Sequence, residues 1–276
     1  MDNLIDKWLP VLESSRIESD YQQMVAQCCE NTRNYLKKIL NFDEEQGMVT
    51  KSLPEPDKAF IASHTIPIMI KVIKDLNIYK LVDVKPMKGP ISYIHPNVQE
   101  DQTYRQLVEA RTSKLLHYVP VSLNGTMSLY DVNTVTNLVG SRLESSILGL
   151  VKGTLSETNC SEVKWSELDG LEDWGVVVVS EGKAERILFD YEYKNDTNQL
   201  LCHAGNISDK TSIFIDNASS EDYVIVGNPG KGSITYCPYL PLVMEAQTNM
   251  DIGFRSRFGM LYHELDKNYK MYKIVD

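Results

Sequence analysis

The chain has 276 residues, of which 42% are apolar and 24% charged, and its formal net charge is −10. This composition excludes a disordered chain, and the length allows one large domain or two small ones. The acidic charge argues against a dedicated nucleic-acid binder, which would carry a basic face. Five cysteines are an odd number without regular spacing, so no disulfide framework is expected. We also expect neither a signal peptide nor a membrane span.

The first forty residues predict two helices. One apolar stripe at helical spacing runs from Leu4 to Leu12, and Pro10 is expected to kink or restart that helix. A second stripe runs from Tyr21 to Ile39. Residues 41–56 are polar, acidic and contain proline, which is typical of an exposed linker.

A third helix is predicted over Ala59–Leu76. A strand then enters a bend, where Pro86 and Pro90 restrict it to the edge or end of a sheet. We expect the return strand within Arg111–Leu123. Only a short polar turn separates Pro96 from Arg105.

The strongest helical pattern lies in the middle of the chain. Ser128 followed by Asp131 is a capping-box-like start, and apolar residues then recur at helical spacing up to Gly153. A helix of about 25 residues is roughly 38 Å long. The acidic residues 156–173 that follow predict a solvated surface segment.

The second half alternates strands with one helix. Trp174–Val179 predicts a buried strand because of its β-branched run, and Glu181–Tyr191 predicts a helix laid against it. Further strands are predicted over Ile213–Ile215 and Tyr223–Val226. Residues 233–276 are expected to return to the first part of the fold as strands, so the class is α+β.

No catalytic, cofactor-binding or metal site is predicted. The residues 227–233 resemble a phosphate loop, but their spacing is wrong and a strand follows instead of a helix. Cys202-His203 lacks a second pair of ligands, so zinc is not expected. The histidines lie on different predicted elements, without a pair at helical spacing: His64, His95, His117, His203 and His263.

Short motifs in the C-terminal third occur in a fixed order. They are Ile215-Asp216, Asp222-Tyr223 with Val226-Gly227, Tyr236 with Pro238-Tyr239, and Gly253-Phe254-Arg255 with Arg257-Phe258-Gly259. As a set they resemble the C-terminal part of the major capsid proteins of T-even-like tailed phages. The residues Val84, Pro86, Met87 and Pro90 match a further motif of that family, and Lys7-Trp8-x-Pro10 resembles the start of its precursors.

The resemblance implies the capsid fold named for phage Hong Kong 97. That fold has an N-terminal arm, an extended loop, a peripheral domain with a long spine helix, and an α/β axial domain. The implied segments are 1–56 (arm or propeptide, and linker), 57–85 (first part of the peripheral domain), 86–122 (short extended loop), 123–158 (spine helix), 159–230 (axial domain) and 231–276 (C-terminal strands of the peripheral domain).

The resemblance also implies candidate sites. Leu53-Pro54-Glu55 fits the tripeptide cut by maturation proteases of this phage group, although Pro56 directly after it argues against cleavage there. We expect inter-subunit contacts at Tyr93, His95 and Arg105 in the loop. For Arg255 and Arg257, pairing with a neighbour's carboxylates and simple exposure to solvent are both open.

The implied function is a major capsid protein, not an enzyme, that needs no cofactor. Copies would form pentamers and hexamers of a virion shell assembled in the host cytoplasm, with scaffold, portal, vertex or decoration proteins and a protease as possible partners. The acidic shell would enclose double-stranded DNA without sequence-specific binding, and no membrane is involved. Two alternatives stay open, an encapsulin-like nanocompartment shell and a soluble α/β enzyme.

Overall fold

The structure is a computed structural model that describes residues 4–39, 55–96, 104–118, 129–188, 199–246 and 252–275. The helices are α1 (Leu4–Ser14), α2 (Ser19–Ile39), α3 (Glu55–Asp75), α4 (Leu129–Thr158), α5 (Glu181–Leu188) and α6 (Leu265–Asn268). The strands are β1 (Asp83–Val84), β2 (Ile91–Ile94), β3 (Gln106–Glu109), β4 (Arg111–Tyr118), β5 (Cys160–Val163), β6 (Val176–Ser180), β7 (Leu201–Asn206), β8 (Ser212–Asp216), β9 (Tyr223–Gly227), β10 (Ile234–Ala246), β11 (Ile252–Tyr262) and β12 (Tyr269–Ile274).

One sheet has the strand order β1-β10-β11-β4. The two long strands β10 and β11 are antiparallel, and β1 lies parallel to β10 at the edge. The edge position of β1 agrees with the proline-limited strand predicted before Pro86. The hairpin β2–β3 forms a separate pair beside this sheet.

A second, mixed sheet has the order β5-β12-β9-β6-β8-β7. Its central strands are buried on both faces, which explains the continuous β-branched runs in their sequences. Val176 and Val178 face the main core, whereas Val177 and Val179 face a smaller cluster on the opposite side. Trp174 and α5 cover that second side.

The helix α4 lies between the two sheets. Its buried stripe enters the main core together with residues of α2, α3, β9 and β10, and consists of Val135, Val139, Leu143, Ile147, Val151 and Leu155. Its 30 residues correspond to a length of about 45 Å. The helix is longer than the apolar pattern predicted, because it continues through Gly153 to Thr158.

Two of the motif residues tie α4 to the second sheet. The Tyr223 hydroxyl donates a hydrogen bond to Asp216 Oδ2 at 2.6 Å. Lys152 of α4 lies 3.7 Å from the same carboxylate oxygen and 4.1 Å from the centre of the Tyr223 ring. Because this cluster is almost buried, the Asp and Tyr of the two motifs have a packing role.

Several sequence predictions were wrong. The strand that pairs with β2 is β3, before Arg111, whereas the strand predicted within Arg111–Leu123 is β4 and pairs with β11. The last strand, β12, joins the second sheet between β5 and β9 and does not return with β10 and β11. By contrast, the segment 156–173 is solvated as predicted, since none of its residues is buried. It contains the end of α4 and β5, which pairs with β12.

The first helix does not restart at Pro10. α1 continues through Pro10 and ends at Ser14. Arg16 there has a positive φ of 54°, which makes the turn into α2.

Candidate functional site

The hairpin β2–β3 presents an apolar face to solvent. Tyr93 and Leu107 lie directly opposite each other across the two strands, and their exposed fractions are 61% and 54%. Ile91 on the same face is 59% exposed. Singly exposed apolar residues are common, but three on one small hairpin form a patch of the kind that binds another surface.

The inner face of the hairpin is anchored to the first sheet. Alternation places Ile94 and Val108 on this side, where they pack in a small cluster with Met87 and Leu261. Since the inward side chains are fixed in this way, the outward ones are held at defined positions. The apolar patch is therefore carried by a well-packed support.

Tyr93, His95 and Arg105, the three loop residues predicted from the sequence, lie together on this hairpin. The guanidinium of Arg105 lies 4.8 Å from the centre of the Tyr93 ring, a cation–π distance. His95 Nδ1 donates to the carbonyl oxygen of Tyr104 at 3.0 Å. The carbonyl of His95 accepts a hydrogen bond from Lys85 Nζ at 2.7 Å.

Tyr104 also fixes the base of the hairpin. Its ring lies 4.2 Å, centre to centre, from the ring of His263, which follows β11. The pKa of Lys85 is lowered because the side chain is partly buried at this junction. The loop residues and the end of β11 thus form one connected group.

Gly259 is the point where the hairpin touches the first sheet most closely. A Cβ at this position would overlap Val108 Cγ1 and lie 2.9 Å from the carbonyl oxygen of Glu109. Only glycine lets β3 approach β11 at this distance. The close contact with β3 therefore explains why the last position of the Arg257-Phe258-Gly259 motif is a glycine.

We expect Gly259→Ala to displace the hairpin and to lower the free energy of unfolding by about 2 kcal/mol. Hydrogen exchange should become faster in β2 and β3, while β6 and β9 keep their protection. Gly153→Ala is the matched control, since nothing lies within 4 Å of a Cβ added on that side of α4. Unchanged exchange in the hairpin of the Gly259 variant would contradict the close approach.

Arg255 and Arg257 find partners within their own chain. Arg255 Nη1 lies 3.1 Å from Glu245 Oε2, and Glu245 also accepts a hydrogen bond from the Tyr35 hydroxyl at 2.8 Å. The guanidinium of Arg257 lies 5.6 Å from the centre of the Tyr239 ring. Its Nε is buried and has no hydrogen-bond partner among the described residues.

The phosphate-like loop is occupied by a side chain of the protein. The amides of Gly230 and Gly232 donate to the two oxygens of the Asp83 carboxylate at 3.0 and 2.8 Å. Both glycines have positive φ, which turns their amides toward one anion. Burial raises the pKa of Asp83, although the two amides act in the opposite direction. The loop thus serves to hold β1 against the start of β10.

Within the described residues, no group of three or more His, Cys, Asp or Glu side chains could hold a metal ion. None of the helices in the same ranges is long and apolar enough to cross a bilayer. Of the candidate processing tripeptide, Leu53 and Pro54 lie outside the described residues, and the backbone of Glu55 begins α3.

Ile91 and Leu107 were not among the contact residues predicted from the sequence. Their exposure depends on the register of the hairpin, in which Ile91 pairs with Glu109 and Tyr93 with Leu107. The sequence offers no clear alternation here, because Tyr93 and Ile94 are adjacent in β2, and Leu107 and Val108 are adjacent in β3. The pattern therefore does not say which of the two faces is covered.

Residues 171–275 match the model of the family Major capsid protein Gp23. The Gp23 match covers less than half of the chain and includes all strands from β6 to β12. It contains the motif residues Asp216, Tyr223, Gly227 and Gly259 but not the hairpin. No curated protein matches the sequence.

Solved structures are similar over most of the chain. A virus-like particle from Pyrococcus furiosus has a TM-score of 0.52 and 11% identity, over 78% of this chain and 99% of that one. The capsid of a native GTA particle has a TM-score of 0.42 and 9% identity, over 84% and 95%. The procapsid of satellite phage P4 has a TM-score of 0.42 and 9% identity, over 89% and 97%. At such low identity, the first of these shows a shared α+β fold.

Proposed function

We propose that this chain is the major capsid protein of a tailed phage, a building block that assembles into the shell. The observation that carries the proposal is the Gp23 match over residues 171–275, which spans both sheets. The fold shared with the virus-like particle supports it. The role is structural rather than enzymatic.

The finer assignment is to the T-even-like type and the Hong Kong 97 fold. The support is the ordered set of C-terminal motifs and the long helix α4 between two sheets, which suits a spine helix. In this assignment the first sheet belongs to the peripheral domain and the second to the axial domain. The strand β12 then belongs to the axial sheet, unlike in the sequence-based division.

In the shell, we propose that the outward face of the hairpin contacts a neighbouring copy. Tyr93, His95 and Arg105 lie on this face with Ile91 and Leu107, and burial of such a patch would stabilise a contact between subunits. For Arg255 and Arg257 an inter-subunit role stays a prediction, since Glu245 and Tyr239 already contact them within the chain.

The wider assembly follows from this assignment. Copies would form rings of five and six, a closed arrangement in which weak contacts are repeated. The shell would form in the host cytoplasm and enclose double-stranded DNA, without a membrane. Scaffold, portal, vertex or decoration proteins and a maturation protease are candidate partners of such a shell.

The hairpin contact is tested by the double variant Tyr93→Ser/Leu107→Ser. We expect the concentration needed for assembly to rise on the order of tenfold or more, because two large apolar side chains are lost from the contact. The free energy of unfolding of the single chain should fall by no more than about 1 kcal/mol, through the lost cross-strand pair. Sedimentation and denaturant unfolding measure the two effects separately.

Val275→Ser is the matched control. Val275 is similarly exposed at 54%, but it lies directly after β12, a strand of the second sheet, and not on the hairpin. Assembly of this control should match that of the unmodified protein. Equal assembly of the control and the double variant would reject the hairpin as a contact surface.

A further inference from the structure

The helices α1 and α2 form one unit. Lys7 Nζ lies 2.5 Å from Glu30 Oε2, and Trp8 Nε1 donates to the same oxygen at 3.1 Å. These bonds join the start of α1 to the middle of α2. Leu12 is fully buried beneath them in the main core.

One face of α2 is part of the core of the protein. Val25, Cys28 and Cys29 are fully buried and belong to the same cluster as the buried stripe of α4. The buried hydroxyl of Thr32 lies 3.2 Å from Met69 Sδ in α3. Burial raises the pKa of the Cys29 thiol to about 12, which fits a side chain shielded from water.

An aromatic stack extends this packing to the first sheet. The ring of Tyr21 in α2 lies 5.9 Å from that of Tyr79, and the ring of Tyr79 lies 6.0 Å from that of Tyr236 in β10. Stacked rings at this separation add to the stability of the surface they bury. α2 is thus in contact with segments that follow residue 55 along much of its length.

Asn31 in α2 donates hydrogen bonds to two backbone carbonyl groups that lie outside the N-terminal helices. Its Nδ2 donates to the carbonyl oxygens of Met87 at 2.7 Å and Tyr239 at 2.9 Å, and its Oδ1 accepts from Gln27 Nε2 at 3.0 Å. Asn31 is buried, and all of its amide groups in this arrangement are used. Without α2, the carbonyls of Met87 and Tyr239 would lose this donor.

A polar network joins the C-terminal end of α2 to the first sheet. The Tyr35 hydroxyl donates to Glu245 Oε1, and Glu245 Oε2 pairs with Arg255. The pKa of Tyr35 is raised by burial and by the Glu245 carboxylate, which keeps the hydroxyl protonated as a donor. Arg255 is therefore linked to the N-terminal helices through one carboxylate.

From these contacts we infer that α1 and α2 are a permanent part of the folded body, held in a groove formed by α3, β10 and the turn at Met87. A cut between residues 40 and 54 would leave them bound. The sequence alone left open whether residues 1–56 are a retained arm or a propeptide. The inference concerns a single chain and does not depend on the proposed function.

The test uses the full chain with residues 45–51 replaced by the recognition sequence of a site-specific protease. After cutting, a denaturing gel confirms the two fragments, and native size-exclusion chromatography separates bound from released material. We expect the N-terminal fragment to elute with the body. A fragment found in its own peak, or in the supernatant above a precipitated body, would overturn the inference.

A second variant tests the named contact. Asn31→Ala in the same cleavable chain removes the donors to Met87 and Tyr239, and the fragment should dissociate roughly tenfold faster than from the unmodified body. The matched control is Asn34→Ala, since Asn34 lies on the exposed side of α2. Equal dissociation from both variants would reject the role of Asn31.

Hydrogen exchange on the uncut, unmodified protein gives an independent measurement. If α2 belongs to the body, its amides should exchange as slowly as those of β10, because both open only with the core. Fast exchange throughout α2 beside a protected β10 would reject the inference without any cleavage.

Discussion

Replacing Gly227 with alanine is expected to lower the free energy of unfolding by about 3 kcal/mol, since overpacking of a rigid core has this magnitude. A Cβ at Gly227 would overlap Cδ1 and Cε1 of Tyr269 and lie 3.1 Å from Cζ. Tyr269 cannot easily move aside, because it is buried and its hydroxyl donates to the carbonyl of Leu81 at 2.7 Å. The effect should appear as a lower midpoint in urea unfolding.

The control for this variant is Gly149→Ala in α4. Nothing lies within 4 Å of a Cβ added there, so alanine should be neutral or stabilise the helix by up to about 1 kcal/mol. If Gly227→Ala were as stable as the control, β12 would not pack on β9 as described. The glycine of the Val226-Gly227 motif would then have no steric explanation.

The protein is expected to lose about 3 kcal/mol of stability between pH 4 and pH 9 through one carboxyl group, Glu144. This residue in α4 is 4% exposed, and burial raises its pKa to about 7, although hydrogen bonds to backbone amides partly oppose the shift. Its Oε1 accepts from the amides of Asn77 and Ile78, the latter at 3.1 Å, and so holds the start of a 3₁₀ turn.

The sign of this pH dependence follows from the difference between the pKa of Glu144 in the unfolded chain and in the folded protein. In the unfolded chain, an exposed glutamate has a pKa near ~4.3, so the folded state binds the proton more tightly. The contribution of Glu144 to the free energy of unfolding is therefore fully present below about pH 4 and is lost as the pH rises through 7. Above pH 7 the folded protein holds a charged group in a poorly solvated position.

Glu144→Gln should remove this dependence. The amide oxygen can still accept from Asn77 and Ile78, but no charge forms, so the variant should be the more stable protein at pH 8.5 and nearly equal at pH 5. Glu157→Gln, on the exposed side of the same helix, is the control and should follow the unmodified protein. Parallel stability curves for all three proteins from pH 5 to 9 would contradict the account of Glu144.

The sequence was most informative where local pattern and final packing agree. The helix α4 was predicted from its apolar spacing, and β6, β8 and β9 from β-branched runs that become buried on both faces. β5 and β7 were missed for different reasons. β5 is short and pairs with β12, far away in the chain, so its formation depends on tertiary context more than on propensity. β7 pairs with the neighbouring strand β8, but His203, Gly205 and Asn206 interrupt its apolar pattern.

The candidate site was predicted only in part for the same reason. Tyr93, His95 and Arg105 were named from a resemblance, but their neighbourhood depends on the pairing of β2 with β3 and on Gly259 beneath it. The path of β12 into the second sheet could not be inferred from its own residues. A short strand that mixes tyrosines and lysines with Met271 and Ile274 is compatible with either sheet.

The most direct test of the proposed function is electron microscopy of the purified, full-length protein over a range of concentrations, beside the Tyr93→Ser/Leu107→Ser variant. We expect closed shells, or rings of five and six copies, for the unmodified protein, and far fewer for the variant. A protein that stays a folded monomer at the highest concentration reached, with no ring or shell in any condition, would contradict the claim that this chain is a capsid building block.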